Sequence, residues 1–220
     1  MNYLSERLTA IFQMVPKGIA ADIGADHGKL MIALFEGGII SHGYAVENKK
    51  GPYNRLVKAL KEKHLEEDVV PLFSDGISEL PEAVHTVVIA GMGGNNIIDI
   101  LKKYPLKTKQ IQTLIIDAHT AIPKVRREIS NMGFVIADEK MVREDGIFYE
   151  IIKFIRAEKA VYGDKDYEFG PILRNEKSAT FKEKYEGRIH EIEKLLANKE
   201  LPKSRANELS HEKERIQSIL

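Results

Sequence analysis

Ala20-Ala21-Asp22-Ile23-Gly24-Ala25-Asp26-His27-Gly28-Lys29-Leu30 is a short apolar run that enters a glycine turn and leaves it as a helix. In open α/β sheets that order marks the edge where a nucleotide-containing ligand sits. The turn departs from a dinucleotide fingerprint. A phosphate binder keeps glycine where the backbone approaches the pyrophosphate, and sets a helix N-terminus against its charge. Here Ala25-Asp26 fill that space and Asp22 stands just before it. Carboxylates repel phosphate and attract cations. The stretch therefore predicts a cofactor that lacks phosphate and carries positive charge, as S-adenosylmethionine does in its ammonium and sulfonium. Asp26 has a second reading, as the cap of the helix that follows.

Outward from this stretch, apolar runs and helical patterns alternate. Leu4, Leu8, Ile11, Phe12 and Val15 recur at helical spacing, and Pro16-Lys17-Gly18 ends that helix. Strands are predicted at 19–23, 44–47, 69–73, 86–90 and 114–117, with helices at 29–35, 52–63, 95–103 and 123–132. Such alternation predicts an α/β fold, a parallel sheet with helices on both faces. The stretch "GFVIADEKMVREDGIFYEIIKFI" then pairs two strand patterns across Glu144-Asp145-Gly146, a hairpin signal. A parallel sheet closed by an antiparallel hairpin fits the Rossmann-like class I methyltransferase sheet better than a dehydrogenase sheet. This disfavours an NAD-dependent oxidoreductase.

Residues 1–156 form the expected catalytic domain and 157–220 a second one. The segment after 156 opens as a loop-rich bridge. Tyr185, Ile189, Ile192 and Leu196 then make an apolar seam, which Ala206, Leu209, Ile216 and Leu220 continue after Pro202. Two helices joined by a short turn are the expected C-terminal antiparallel helical hairpin. Lys213 interrupts the seam, so its end is expected to splay or to pack elsewhere. Charges in the hairpin balance, which leaves a solvated surface and a nucleic-acid grip both open.

Composition narrows the class. The 220 residues carry 33 Lys and Arg against 33 Asp and Glu, so overall charge does not point to nucleic acid. There is no cysteine, which excludes disulfides, a cysteine-bound zinc and a thiol nucleophile. No metal-ligand spacing occurs, no apolar run reaches membrane-spanning length, and the first residues lack a signal-peptide core. A cytoplasmic monomer without metal or membrane association is the expectation.

Further site residues lie at the strand outlets. Glu47, followed by Asn48, ends the second strand where a carboxylate can accept both ribose hydroxyls. Asp75-Gly76 follows the third, where an acid can receive an adenine amino group, or simply make a turn. Gly91, Gly93 and Gly94 of "VVIAGMGGNNII" allow close backbone approach to a ligand beside the first turn. Carbonyls near Gly91-Met92, and Asp26, are candidates to favour positive charge on a methylated base. His27 and His119 stand at strand outlets. Lys29, His119, Arg126 and Arg127 are the candidates for substrate contact, although an exposed helix face is the plainer reading of the two arginines.

Taken together, these motifs resemble the bacterial tRNA (adenine-22-N1)-methyltransferase family over nearly the full length. "LSERLTAIFQMVPKG" is similar to that family's N-terminal helix and "ADIGADHGKL" to its "ADIGSDHAYLP". "GPY", "IAGMGG", "EDGIFYEI" and "FGPILRNEKSATFKEKY" follow in the family's order. The resemblance implies an S-adenosylmethionine pocket lined by Asp22, Gly24, Asp26, His27, Glu47, Asp75 and Gly91 to Gly94. It also implies methyl transfer to an adenine N1 in tRNA, which the hairpin helps to grip. Departures fall on the substrate side: Gly28-Lys29-Leu30-Met31 replaces an alanine-tyrosine-leucine-proline run, and Asp117-Ala118-His119 replaces glutamine-proline-asparagine. Two rivals follow from them, a related methyltransferase with another RNA or small-molecule substrate, and a non-catalytic RNA-binding module with a relict pocket.

Overall fold

The computed structural model describes residues 4–158, 160–198 and 200–220. Helix α1 (Glu6–Met14) is capped by the Ser5 hydroxyl, which accepts the Leu8 N–H. The chain then lays down β1 (Gly18–Ile23), α2 (Lys29–Glu36), β2 (Ile40–Glu47), α3 (Lys50–Glu62) and β3 (Val69–Phe73). It continues with β4 (Thr86–Met92), α4 (Gly94–Lys103), α5 (Pro105–Gln110), β5 (Thr113–Ala118) and α6 (Ile122–Asn131). The seven-stranded sheet has the order β3-β2-β1-β4-β5-β7-β6, with β6 (Phe134–Glu144) and β7 (Ile147–Arg156). Strands β1 to β5 are parallel, and β7 enters antiparallel between β5 and β6. Only Asp145 (φ 50°) and Gly146 (φ 79°) join β6 to β7, and two positive φ values in a two-residue loop match the twist of a hairpin.

Strand order reverses between β1 and β4, the place where an open α/β sheet leaves a crevice beyond its carboxyl ends. Each face of the sheet is sealed by its own core. Ile11, Met31, Leu34, Leu56 and Leu60 bring α1, α2 and α3 onto one face. Ile97, Leu101, Val125 and Ile129 bring α4 and α6 onto the other. The last four residues of β1 and all of β5 are buried, which is why both read as largely apolar runs, with Asp22 and Asp117 as their charged residues.

The bridge is more ordered than its composition suggests. It holds α7 (Asp164–Phe169) and α8 (Leu173–Glu176), followed by α9 (Ala179–Leu196) and α10 (Lys203–Gln217). Helices α9 and α10 form the expected hairpin, and its seam extends into the body of the protein. Phe181, Tyr185, Ile192, Leu209, Ile216 and Ile219 cluster with Met141 of β6 and Phe169 of α7. The end near Lys213 does not splay. Lys213 pairs with Glu193 at 2.7 Å, and Lys177 holds the Leu220 carbonyl at 3.1 Å.

Candidate functional site

The outlets of β1, β2, β3 and β4 meet at one edge, and two cavities open there on either side of Gly24. The larger, about 450 Å³, is lined by Glu47, Asn48, Asp75, Gly76, Met92 and Ile100, among others. The smaller, about 230 Å³, is lined by Arg7, Asp22, Asp26, His27, Lys29 and Ala90, among others. Gly24 has φ 82°, a conformation in which a side chain is strained, and a Cβ on it would lie 2.6 Å from Cε at the movable end of Met92.

The acids have distinct environments. Asp22 is 7 % exposed, and its carboxyl is pushed up to about 7, first by burial and then by the Glu47 carboxylate, against the pull of Arg7. Glu47 is buried and accepts the Asp26 N–H at 2.7 Å. Asp26 has φ 44° and turns its carboxylate to Arg55 of α3 at 2.8 Å. It does not cap α2, whose N-cap is Gly28. Asp75 is exposed and engaged by Lys103 and Tyr104; Lys103 foremost lowers its carboxyl. A buried acid pushed up beside a second acid fits a cationic group, which would let Asp22 ionise.

Gly91 is the extra residue of a bulge in β4, where Ala90 faces Asp117 and Met92 faces Ala118. Its φ of 76° turns the backbone, and the position of a would-be Cβ lies 3.5 Å from Arg7 Nη1 and 3.9 Å from His119 Nε2. Around it stands a cluster that spacing alone did not reveal. Arg7 pairs with the fully buried Asp117 at 2.7 Å and lies 5.1 Å from the Tyr149 ring centroid. The His119 ring packs edge-on to Tyr149 at 6.0 Å. Burial drives the Asp117 carboxyl up, against the pull of Arg7 and of the Gly91 backbone N–H. The available signal is a lone cation, Arg7, beside Leu8 in the apolar stripe that starts at Leu4 and runs along α1.

Several expected site residues take other roles. Arg126 is fully buried and bonds Glu139 at 2.8 Å and Glu150 at 2.6 Å, so it has no surface for substrate. This overturns both readings of it, substrate contact and exposed helix face. Arg127 is half-exposed as expected, but it pairs with Asp164 and lies over the Tyr167 ring, away from the Gly91 cluster. Gly94 serves packing: a Cβ there would lie 2.3 Å from the Thr120 carbonyl, which already takes the Gly94 N–H. Gly76 similarly abuts Ile100, and Gly93 is the N-cap of α4. The Met92 carbonyl accepts the His119 N–H at 2.9 Å. Asp22, Gly24, Asp26, His27, Glu47, Asn48, Asp75, Gly76, Gly91, Met92, Lys29 and His119 are brought to the one edge.

Against known proteins, the family model for TrmK, tRNA (adenine(22)-N(1))-methyltransferase, matches residues 20–219. The chain belongs to the TrmK family. Like the family it is a tRNA (adenine(22)-N(1))-methyltransferase, built on the Rossmann-like methyltransferase sheet. The tRNA (adenine(22)-N(1))-methyltransferase of Bacillus subtilis (strain 168) is 25% identical over 236 residues, covering 99% of this chain and 97% of the relative. Sp1610 of Streptococcus pneumoniae is 30% identical, with a TM-score of 0.92 and 99% of each chain covered. A second structure of Sp1610, in complex with S-adenosyl-L-methionine, superimposes with a TM-score of 0.90. No helix among the described residues is long and apolar enough to cross a membrane, and those residues hold no group suited to a metal ion.

Proposed function

We propose that this chain methylates N1 of adenine 22 in tRNA with S-adenosylmethionine as donor, and that the edge around Gly24 and Gly91 is where it does so. The observation that carries the assignment is the family match over residues 20–219, and at the site the buried Asp22 beside Glu47 supports the cationic donor. In this reading Glu47 takes the ribose hydroxyls, and Asn48, Asp75 and Ile100, which line the same cavity, surround the adenine. Asp22, with the Gly24 turn, takes the ammonium. Arg7, sharing that cavity, is matched to the carboxylate.

The bound cofactor supplies an electrophilic methyl group on sulfur. The protein's own part is to place the adenine and to exclude water. Adenine N1 has a free lone pair, so no general base is required before attack. Positioning carries the catalysis, and well-aligned reactants can gain about 7–11 kcal/mol that way. His119, with Tyr149 edge-on to it, bounds the space beside Gly91 into which a base flipped from the tRNA would enter. The methylated base is cationic. Asp117 offsets the adjacent Arg7 charge, so the product does not face an unbalanced cation.

A cytoplasmic monomer is consistent with this role. The test is incubation of the purified protein with unmodified tRNA and labelled cofactor, with the product nucleoside identified by mass spectrometry. One 1-methyladenosine at position 22 is expected. Label in another nucleoside, or cofactor binding without tRNA labelling, would overturn the assignment.

A further inference from the structure

A cavity of about 570 Å³ lies between the sheet and the hairpin. One wall is the turn from His119 to Pro123 that joins β5 to α6, and the opposite wall is α9 with Lys184 and Arg188. Beneath it runs a chain of charges. Arg126 of α6 donates to Glu139 of β6 and Glu150 of β7, and also to the Tyr167 carbonyl at 3.2 Å. The free oxygen of Glu139 accepts the Ile172 N–H at 2.9 Å, and that of Glu150 accepts Lys184 of α9. Burial raises the Glu150 carboxyl, and Arg126 with Lys184 more than offsets the rise.

Such a network is a poor source of stability, because each buried ion costs several kcal/mol of hydration and apolar side chains would pack as well. What it provides is direction. Every charge has its partners in one arrangement of the elements, and any other leaves an unpaired buried ion. The elements concerned are telling. Arg126 lies in the helix that follows His119 and Thr120, Glu150 follows Tyr149, and Lys184 lies on the hairpin.

We propose that Lys184, acting through Glu150 and Arg126, is a positioning residue that fixes the hairpin relative to the His119–Tyr149 wall, so that tRNA held on the hairpin meets the methyl-transfer site in register. This rests on the tRNA reading above and on the tRNA grip by the hairpin that the family resemblance implies. The test uses the full chain with Lys184→Met, Lys184→Arg and Glu150→Gln, comparing kcat and KM for tRNA, S-adenosylmethionine affinity and thermal stability. Lys184→Met and Glu150→Gln are expected to lower kcat/KM for tRNA about tenfold, with cofactor Kd within twofold of wild type. Lys184→Arg should recover most of the loss.

Unchanged kcat/KM in Lys184→Met overturns the proposal. So does an equal loss of cofactor affinity, which marks a general structural role. A loss in Lys184→Met that Glu150→Gln does not share shows direct contact of Lys184 with RNA and overturns it too. A wild-type chain that binds cofactor and leaves tRNA unmethylated removes the tRNA reading, and this proposal with it.

Discussion

Asp22 shows how one buried acid can set the conditions under which a site works. Its carboxyl titrates near 7 in the folded chain, against 3.8 for an ordinary aspartate. Below about pH 4 it is protonated whether the chain is folded or not, so it has no effect on stability there. Between 4 and 7 the unfolded chain ionises first, and stability falls as pH rises through that window. A bound ammonium reverses the preference by stabilising the carboxylate. S-adenosylmethionine affinity should therefore rise about tenfold from pH 5.5 to 7, where the ionised fraction of a group titrating near 7 climbs steeply. Asp22→Asn should bind more weakly and with little pH dependence. Calorimetry across that range checks this, and a pH-independent wild type would show that Asp22 does not meet the cation. Asp26, the more conspicuous acid in the sequence, is already paired with Arg55 and has less charge to offer.

Individual elements depend on close approaches that only glycine allows. Gly170 follows α7 at φ 82°, and a Cβ there would sit 2.7 Å from Arg126 Nη2 and from both Glu139 oxygens. Gly170→Ala should lose about 2–4 kcal/mol, from left-handed backbone strain together with overpacking of a charge network that cannot shift freely. Urea unfolding measures it, and a loss under about 0.5 kcal/mol would mean that the network is loose. Most elements were legible in advance, because helical spacing and unbroken apolar runs are local properties. Helix α5 and the two short helices of the bridge were not. Each has only four to six residues, too few for a periodic pattern to register.

At the scale of the whole molecule, the hairpin and the sheet share a core. Phe181, Tyr185, Ile192 and Ile216 pack with Met141 and Phe169, and the Arg126 network binds α9 to β7. Thermal or urea unfolding should therefore be one transition, with far-ultraviolet circular dichroism and tyrosine absorbance giving the same midpoint. Two separated midpoints would show that the hairpin unfolds by itself. The sequence alone settled the alternation of strands and helices, the terminal β-hairpin and an acidic glycine turn suited to a cation, since each is written in neighbouring residues. Tertiary structure decided which charges come together at the outlet edge of the sheet. Arg7 and Asp117 are 110 positions apart and meet beside Gly91, while Arg126, expected at the surface, is buried between two glutamates. A side chain's role as ligand, lock or surface group depends on what packs against it, and spacing along the chain carries no record of that.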